Sequence, residues 1–99
     1  VLETDPSAAR AIARAHMARY LARPNYANNL LRLGYTESEL TTIDDRVVDA
    51  IVAWGTMDDV FARVRAHHDA GASHVCVQVL TDGIEVPLDQ WRELAGALL

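Results

Sequence analysis

Lysine is missing from this chain: all 9 basic side chains are arginine. That reads as codon bias and bears on no function. Cysteine is nearly missing too. The single Cys76 excludes a disulfide framework within the chain. Set in an apolar run, it reads as a buried core thiol, and nothing in the spacing supplies a base to make it a nucleophile. No run approaches the ~18 apolar residues of a membrane span, and no leader peptide is visible, so the expected compartment is the cytoplasm and no membrane partner is expected. The net charge of -5 removes the basic face that nucleic acid requires. No HExxH or CxxC spacing exists, and His16, His67, His68 and His74 make no metal set. A glycine-rich phosphate loop is absent as well.

What remains is a globular composition. With 99 residues, 51% hydrophobic and 23% charged, the chain suits one domain, residues 1–99, with a modest core. "VLET" at the start reads as the tail of a strand. In "DPSAARAIARAHMARYLAR", Asp5 caps, Pro6 fits the first helical position and Pro24 closes the segment. Ala9, Ile12, Ala13, His16, Met17, Tyr20 and Leu21 share one stripe of that helix. Arg10, Arg14, Arg19 and Arg23 flank the stripe and read as a solvated rim. "PNYANNLLRLG" is a short helix ended by Gly34 in a left-handed cap. Thr36 and Glu39 have capping-box spacing.

"IDDRVVDAIVAWG" places acidic residues at a helix start and runs to Gly55, burying Val47, Val48, Ile51, Val52 and Trp54. "TMDDVFARVRAHHDAG" repeats the scheme, with Thr56 as cap, Gly71 as stop and a stripe of Met57, Val60, Phe61 and Val64. The pairs Asp44–Asp45 and Asp58–Asp59 are explained by capping. "HVCVQVL", residues 74–80, is apolar on both faces, as a strand in a buried parallel sheet is. "PLDQWRELAGALL" closes the chain with a helix whose stripe is Leu88, Trp91, Leu94, Ala95 and Leu98. The expected class is α/β: mostly helical, with two parallel strand segments joined by a helical crossover.

The ordered set "AWGTMDDVFARVRAHHDAGASHVCVQVL" resembles the end of the luciferase-like monooxygenase superfamily, flavin- and deazaflavin-dependent oxidoreductases. The shared features are Trp54, Gly55 and Thr56, then Ala70 to Ala72, His74 and Val75. "DPSAARAIARAHMARYLARPNYANNLLRLGY" resembles what an actinobacterial, deazaflavin-using subgroup carries after its seventh strand. The resemblance implies the C-terminal portion of a (β/α)8 TIM barrel, with "VLET" ending the seventh strand and "HVCVQVL" forming the eighth. A whole barrel takes ~250 residues, so six strands are expected before Val1.

It also implies an activity: hydride transfer, or oxygen activation, on an organic substrate. The cofactor would be the deazaflavin coenzyme F-420 or FMN. Sites in such barrels lie at the strand ends, which singles out Gln78 and Thr81 as cofactor-binding residues. Gln78 is a polar side chain in an apolar strand and needs a partner. Asn25, Tyr26, Asn28 and Asn29 follow the first long helix. Of these, Asn25, Tyr26 and Asn29 are the candidates to line a substrate pocket. No catalytic residue can be carried over, and the chain alone is expected neither to catalyse nor to hold the cofactor. Expected partners are a second copy, a higher homo-oligomer or the missing part of the barrel, besides the parent's small-molecule substrate. The alternative is a non-catalytic helical module that associates with itself or a partner.

Overall fold

The computed structural model describes residues 1–99, and every regular element in it is a helix: α1 (Pro6–Leu21), α2 (Pro24–Arg32), α3 (Glu37–Thr42), α4 (Asp45–Ile51), α5 (Met57–Asp69) and α6 (Leu88–Leu98). Local chemistry sets most of the ends. The Asp5 carboxylate accepts from the Ala8 amide at 2.8 Å, and Pro6 takes the first position of α1. Thr36 with Glu39, and Thr56 with Asp59, form complete capping boxes at the starts of α3 and α5. Asp44 caps α4 through the Arg46 amide at 2.9 Å.

Of the three expected glycine stops, Gly34 and Gly71 form, while α4 ends at Ile51, short of Gly55. Gly34 and Gly71 take φ of 102° and 108°. The amides around them close back onto Leu30 and Leu31 and onto His67 and His68, the paired bonds of a Schellman motif. Gly55, at φ 126°, is needed for a second reason. A Cβ there would strike the Asp59 carboxylate that caps α5.

α1 packs on α2 and α4, α3 on α4, and α5 on α6. The core lies between the first four helices and comprises Val1, Ala9, Ala13, Met17, Leu30, Leu40, Val47, Val48 and Val52. Ala9 and Ala13, being small, let α1 approach α4 until Val47 and Val48 are wholly buried.

A polar clasp holds that approach. Asp49 accepts two hydrogen bonds from Arg10, Nε at 3.0 Å and Nη2 at 2.7 Å, and one from the Trp54 indole at 2.8 Å. The Arg10 guanidinium also lies 5.1 Å from the centre of the Trp54 ring. The Asp49 and Ala50 carbonyls, freed at the end of α4, accept from Arg63 of α5 at 2.7 and 3.0 Å. Arg14 pairs with Asp45 and donates to the Ile43 carbonyl at 2.7 Å. Ile43 sits at φ 48°, a costly setting for a β-branched residue, and that bond fixes it. Arg10 and Arg14 are therefore cross-links and not the solvated rim their spacing suggests.

The α/β expectation is overturned. The chain is 63% helical with no strand or sheet, so it is all-α; the two parallel strand segments and the TIM barrel do not form. The reason lies in main-chain pairing. Residues 74–80 form no turn or bend, yet nothing from Ser73 to Leu80 makes a main-chain hydrogen bond to another part of the backbone. A parallel strand exists only through its neighbours.

Val1, the expected neighbour, is engaged elsewhere. Its nitrogen donates to the Ala53 carbonyl at 2.8 Å, and its carbonyl accepts from the Gly55 amide at 3.1 Å. That pairing also ends α4 early, at Ile51 instead of near Gly55. Cys76 is exposed, not a core thiol. Of the expected stripes on α5 and α6, only Val60 and Leu94 are buried, because those helices lean on each other and not on the main core.

Two outcomes test this layout by urea denaturation at fixed protein concentration. Met17, only 3% exposed, is the largest side chain that α1 buries; Met17→Ala should cost about 2–5 kcal/mol. Ile84→Ala, at a fully exposed position, should stay within about 0.5 kcal/mol. The second test is acid. The Arg10 hydrogen bonds hold the Asp49 carboxyl below its usual range against the opposing effect of burial, and the Trp54 indole adds to them. A carboxyl lowered on folding contributes stability above its unfolded value of ~3.9 and loses it as pH falls through the folded value. The native chain should therefore weaken more steeply than Asp49→Asn between about pH 5 and pH 2. Near neutral pH that variant should be the less stable, by about 1–2 kcal/mol, modest because the Asp49 side chain is 40% exposed.

Candidate functional site

Where α1 and α2 meet, three rings form an open array. The His16 and Tyr20 rings stand 5.0 Å apart at 45°, and Tyr20 meets Tyr26 edge to face at 5.3 Å and 81°. His16 and Tyr20 are one helical turn apart on α1. Tyr26 reaches them because Pro24 starts α2 almost at once after α1 ends. Both tyrosines are about two-fifths exposed (40% and 44%), so the array faces outward.

These rings wall a cleft of about 380 Å³, completed by Met17, Leu21, Asn29, Leu30, Ile51 and Gln78. The volume suits a small organic molecule. No charged side chain lines it. Gln78 and Asn29 present amides, each with donors and an acceptor, and neither they nor the rings of His16, Tyr20 and Tyr26 are engaged in side-chain hydrogen bonds within the chain. The cleft can therefore hold a flat, uncharged ring by its faces and pair with polar atoms on its edge.

The structure brings Gln78, Tyr26 and Asn29 together, although 49 residues separate Asn29 from Gln78. Thr81 lines a neighbouring groove, with Asp82, Glu85 and Arg19, that shares only His16 with the cleft. Its hydroxyl faces the Gly83 carbonyl at 3.5 Å. Asn25 is exposed on α2 and does not line the cleft. Sequence reasoning placed His16 and Tyr20 in the buried stripe. They sit at its edge, and an i,i+4 aromatic pair next to a Pro-started helix was the signal for the array.

Residues 75–80 also line an apolar trough of about 260 Å³ with Val1, Leu2, Val52, Val60, Val64 and Leu94; the trough shares His16, Ile51 and Gln78 with the cleft. His68 is tied to the Ala72 carbonyl at 2.8 Å, while its neighbour His67 lines this trough. No group of three or more His, Cys, Asp or Glu is placed to hold a metal ion, and no helix is long and apolar enough to cross a membrane. No family model matches the chain, and neither the curated proteins nor the solved structures contain a match to it.

Because the tyrosines are partly exposed, Tyr26→Ala and Tyr20→Ala should each lower stability by no more than about 1.5 kcal/mol. Thermal unfolding followed by circular dichroism checks this. A larger loss would show that the array holds the fold together instead of standing open beside it.

Proposed function

We propose that this chain contributes a ring-binding wall to a flavin- or deazaflavin-dependent oxidoreductase. One observation carries the reading: Gln78, Tyr26 and Asn29, singled out for cofactor and substrate, line one uncharged cleft with the His16–Tyr20–Tyr26 array. A flavin or deazaflavin ring system is flat, with carbonyl and N–H groups along one edge. Aromatic faces with two amides at the rim suit it.

The cofactor supplies the hydride chemistry. The residues here would orient the ring: Tyr20 and Tyr26 by contact with its face, Gln78 and Asn29 by hydrogen bonds to its edge. No arginine or glycine-rich loop lines the cleft, so the phosphate-bearing arm of FMN finds no cradle in it. Catalytic side chains and the rest of the pocket would come from other polypeptide. The exposed thiol of Cys76 fits the reducing cytoplasm as the compartment.

With one wall present, binding by the chain alone should be weak, in the millimolar range, about -4 kcal/mol. Titration with riboflavin, FMN and a deazaflavin, followed by amide and side-chain NMR shifts, tests this. Shifts should centre on Tyr20, Tyr26, Asn29 and Gln78 and should fade in Tyr26→Ala and Gln78→Leu. Shifts scattered over the surface, or centred on the Val60–Leu94 trough, would contradict the reading. Saturation at low micromolar concentration would contradict the claim that most of the pocket lies elsewhere.

A further inference from the structure

The accessible surface is 6812 Å² for a 10.9 kDa chain. A folded monomer of that mass exposes about 5,600 Å², so this one carries an excess of about 1,200 Å². A stable interface takes ~800 Å² from each partner. The surplus is therefore the size of an interface. Residues 74–80 form no turn or bend and have no main-chain partner, Val77 is 44% exposed, and α6 exposes Leu88 (52%) and Trp91 (48%).

We propose that residues 75–79 pair, main chain to main chain, with the same residues of a second copy. The pairing would be an antiparallel two-stranded ribbon about a two-fold axis near Val77. A row of N–H and C=O groups without main-chain partners is a template for another extended backbone, which can satisfy several of them at once. An antiparallel pair of identical segments is self-complementary, as a two-fold interface requires.

Charge favours the same place. Each copy carries -5, and residues 70–81 form the longest stretch without Asp, Glu or Arg, so two copies can approach there with the least repulsion. β-branched Val75, Val77 and Val79 suit a ribbon, and the trough beside them offers apolar cover to a partner's side chains. The inference does not rest on the ring-binding reading, because it uses the backbone of residues 75–79; the two meet only at Gln78, whose side chain lines the cleft.

Size exclusion with light scattering over a micromolar concentration series tests it, together with amide hydrogen exchange. A monomer–dimer equilibrium is expected, with the amides of 75–79 slowing as dimer accumulates. Val77→Pro should weaken the dimer about tenfold or more, since it removes a ladder donor that has no partner within the chain. Val77→Thr should leave it largely intact, and circular dichroism should show both variants helical. A chain that stays monomeric throughout would overturn the proposal. So would a dimer whose 75–79 amides stay unprotected, or one indifferent to Val77→Pro, as expected if α6 alone were the contact.

Discussion

Asp49 is the residue on which the arrangement of the helices turns. Its carboxylate receives Arg10 from α1 and the indole of Trp54 from the segment after α4, and its main-chain carbonyl receives Arg63 from α5. A core of 9 residues, with Val47 and Val48 the largest fully buried side chains, leaves little apolar burial to fix where three helices sit. The clasp supplies direction, which apolar contact lacks. It also satisfies the carbonyls released where α4 stops, which otherwise would need water or a further turn of helix.

The chain divides accordingly. From Val1 to Arg63, capping boxes, glycine stops, the core and the clasp all favour one arrangement. Beyond Gly71 they thin out. Residues 73–80 lack main-chain partners, α6 buries only Leu94, and the surface exceeds that of a folded monomer by an interface's worth. The radius of gyration says the same: 14.1 Å, against about 12.6 Å for a compact chain of this length. The cleft lies at the seam between these parts. Its rings come from the well-held α1 and α2 and its Gln78 from the unpaired run, so whatever pairs with that run also sets the cleft's far wall.

Much of this was legible in the sequence, because helix ends are written locally. Asp5, Thr36, Asp44, Thr56, Gly34 and Gly71 all act as their spacing implies. What was not legible depends on partners distant in sequence. "HVCVQVL" has the composition of a buried strand, but composition does not provide a neighbour, and Val1 joined Ala53 and Gly55 instead. Arg10 and Arg14 look like any solvated arginines until Asp49 and Asp45 are placed beside them. In the cleft, Gln78, Tyr26 and Asn29 could be named one at a time; their meeting, and the part of His16 and Tyr20 in it, required the turn between α1 and α2.

A double-mutant cycle tests the role of Asp49 most directly. Arg10→Ala, Asp49→Ala and the double variant would be compared by urea denaturation with the same cycle on Arg92 and Asp89, a pair on the surface of α6. The account predicts strong coupling between Arg10 and Asp49, the second substitution costing little once the first is made, and near-additive small effects for Arg92 and Asp89. Additive losses at Arg10 and Asp49, or a coupling no larger than that of the surface pair, would contradict it.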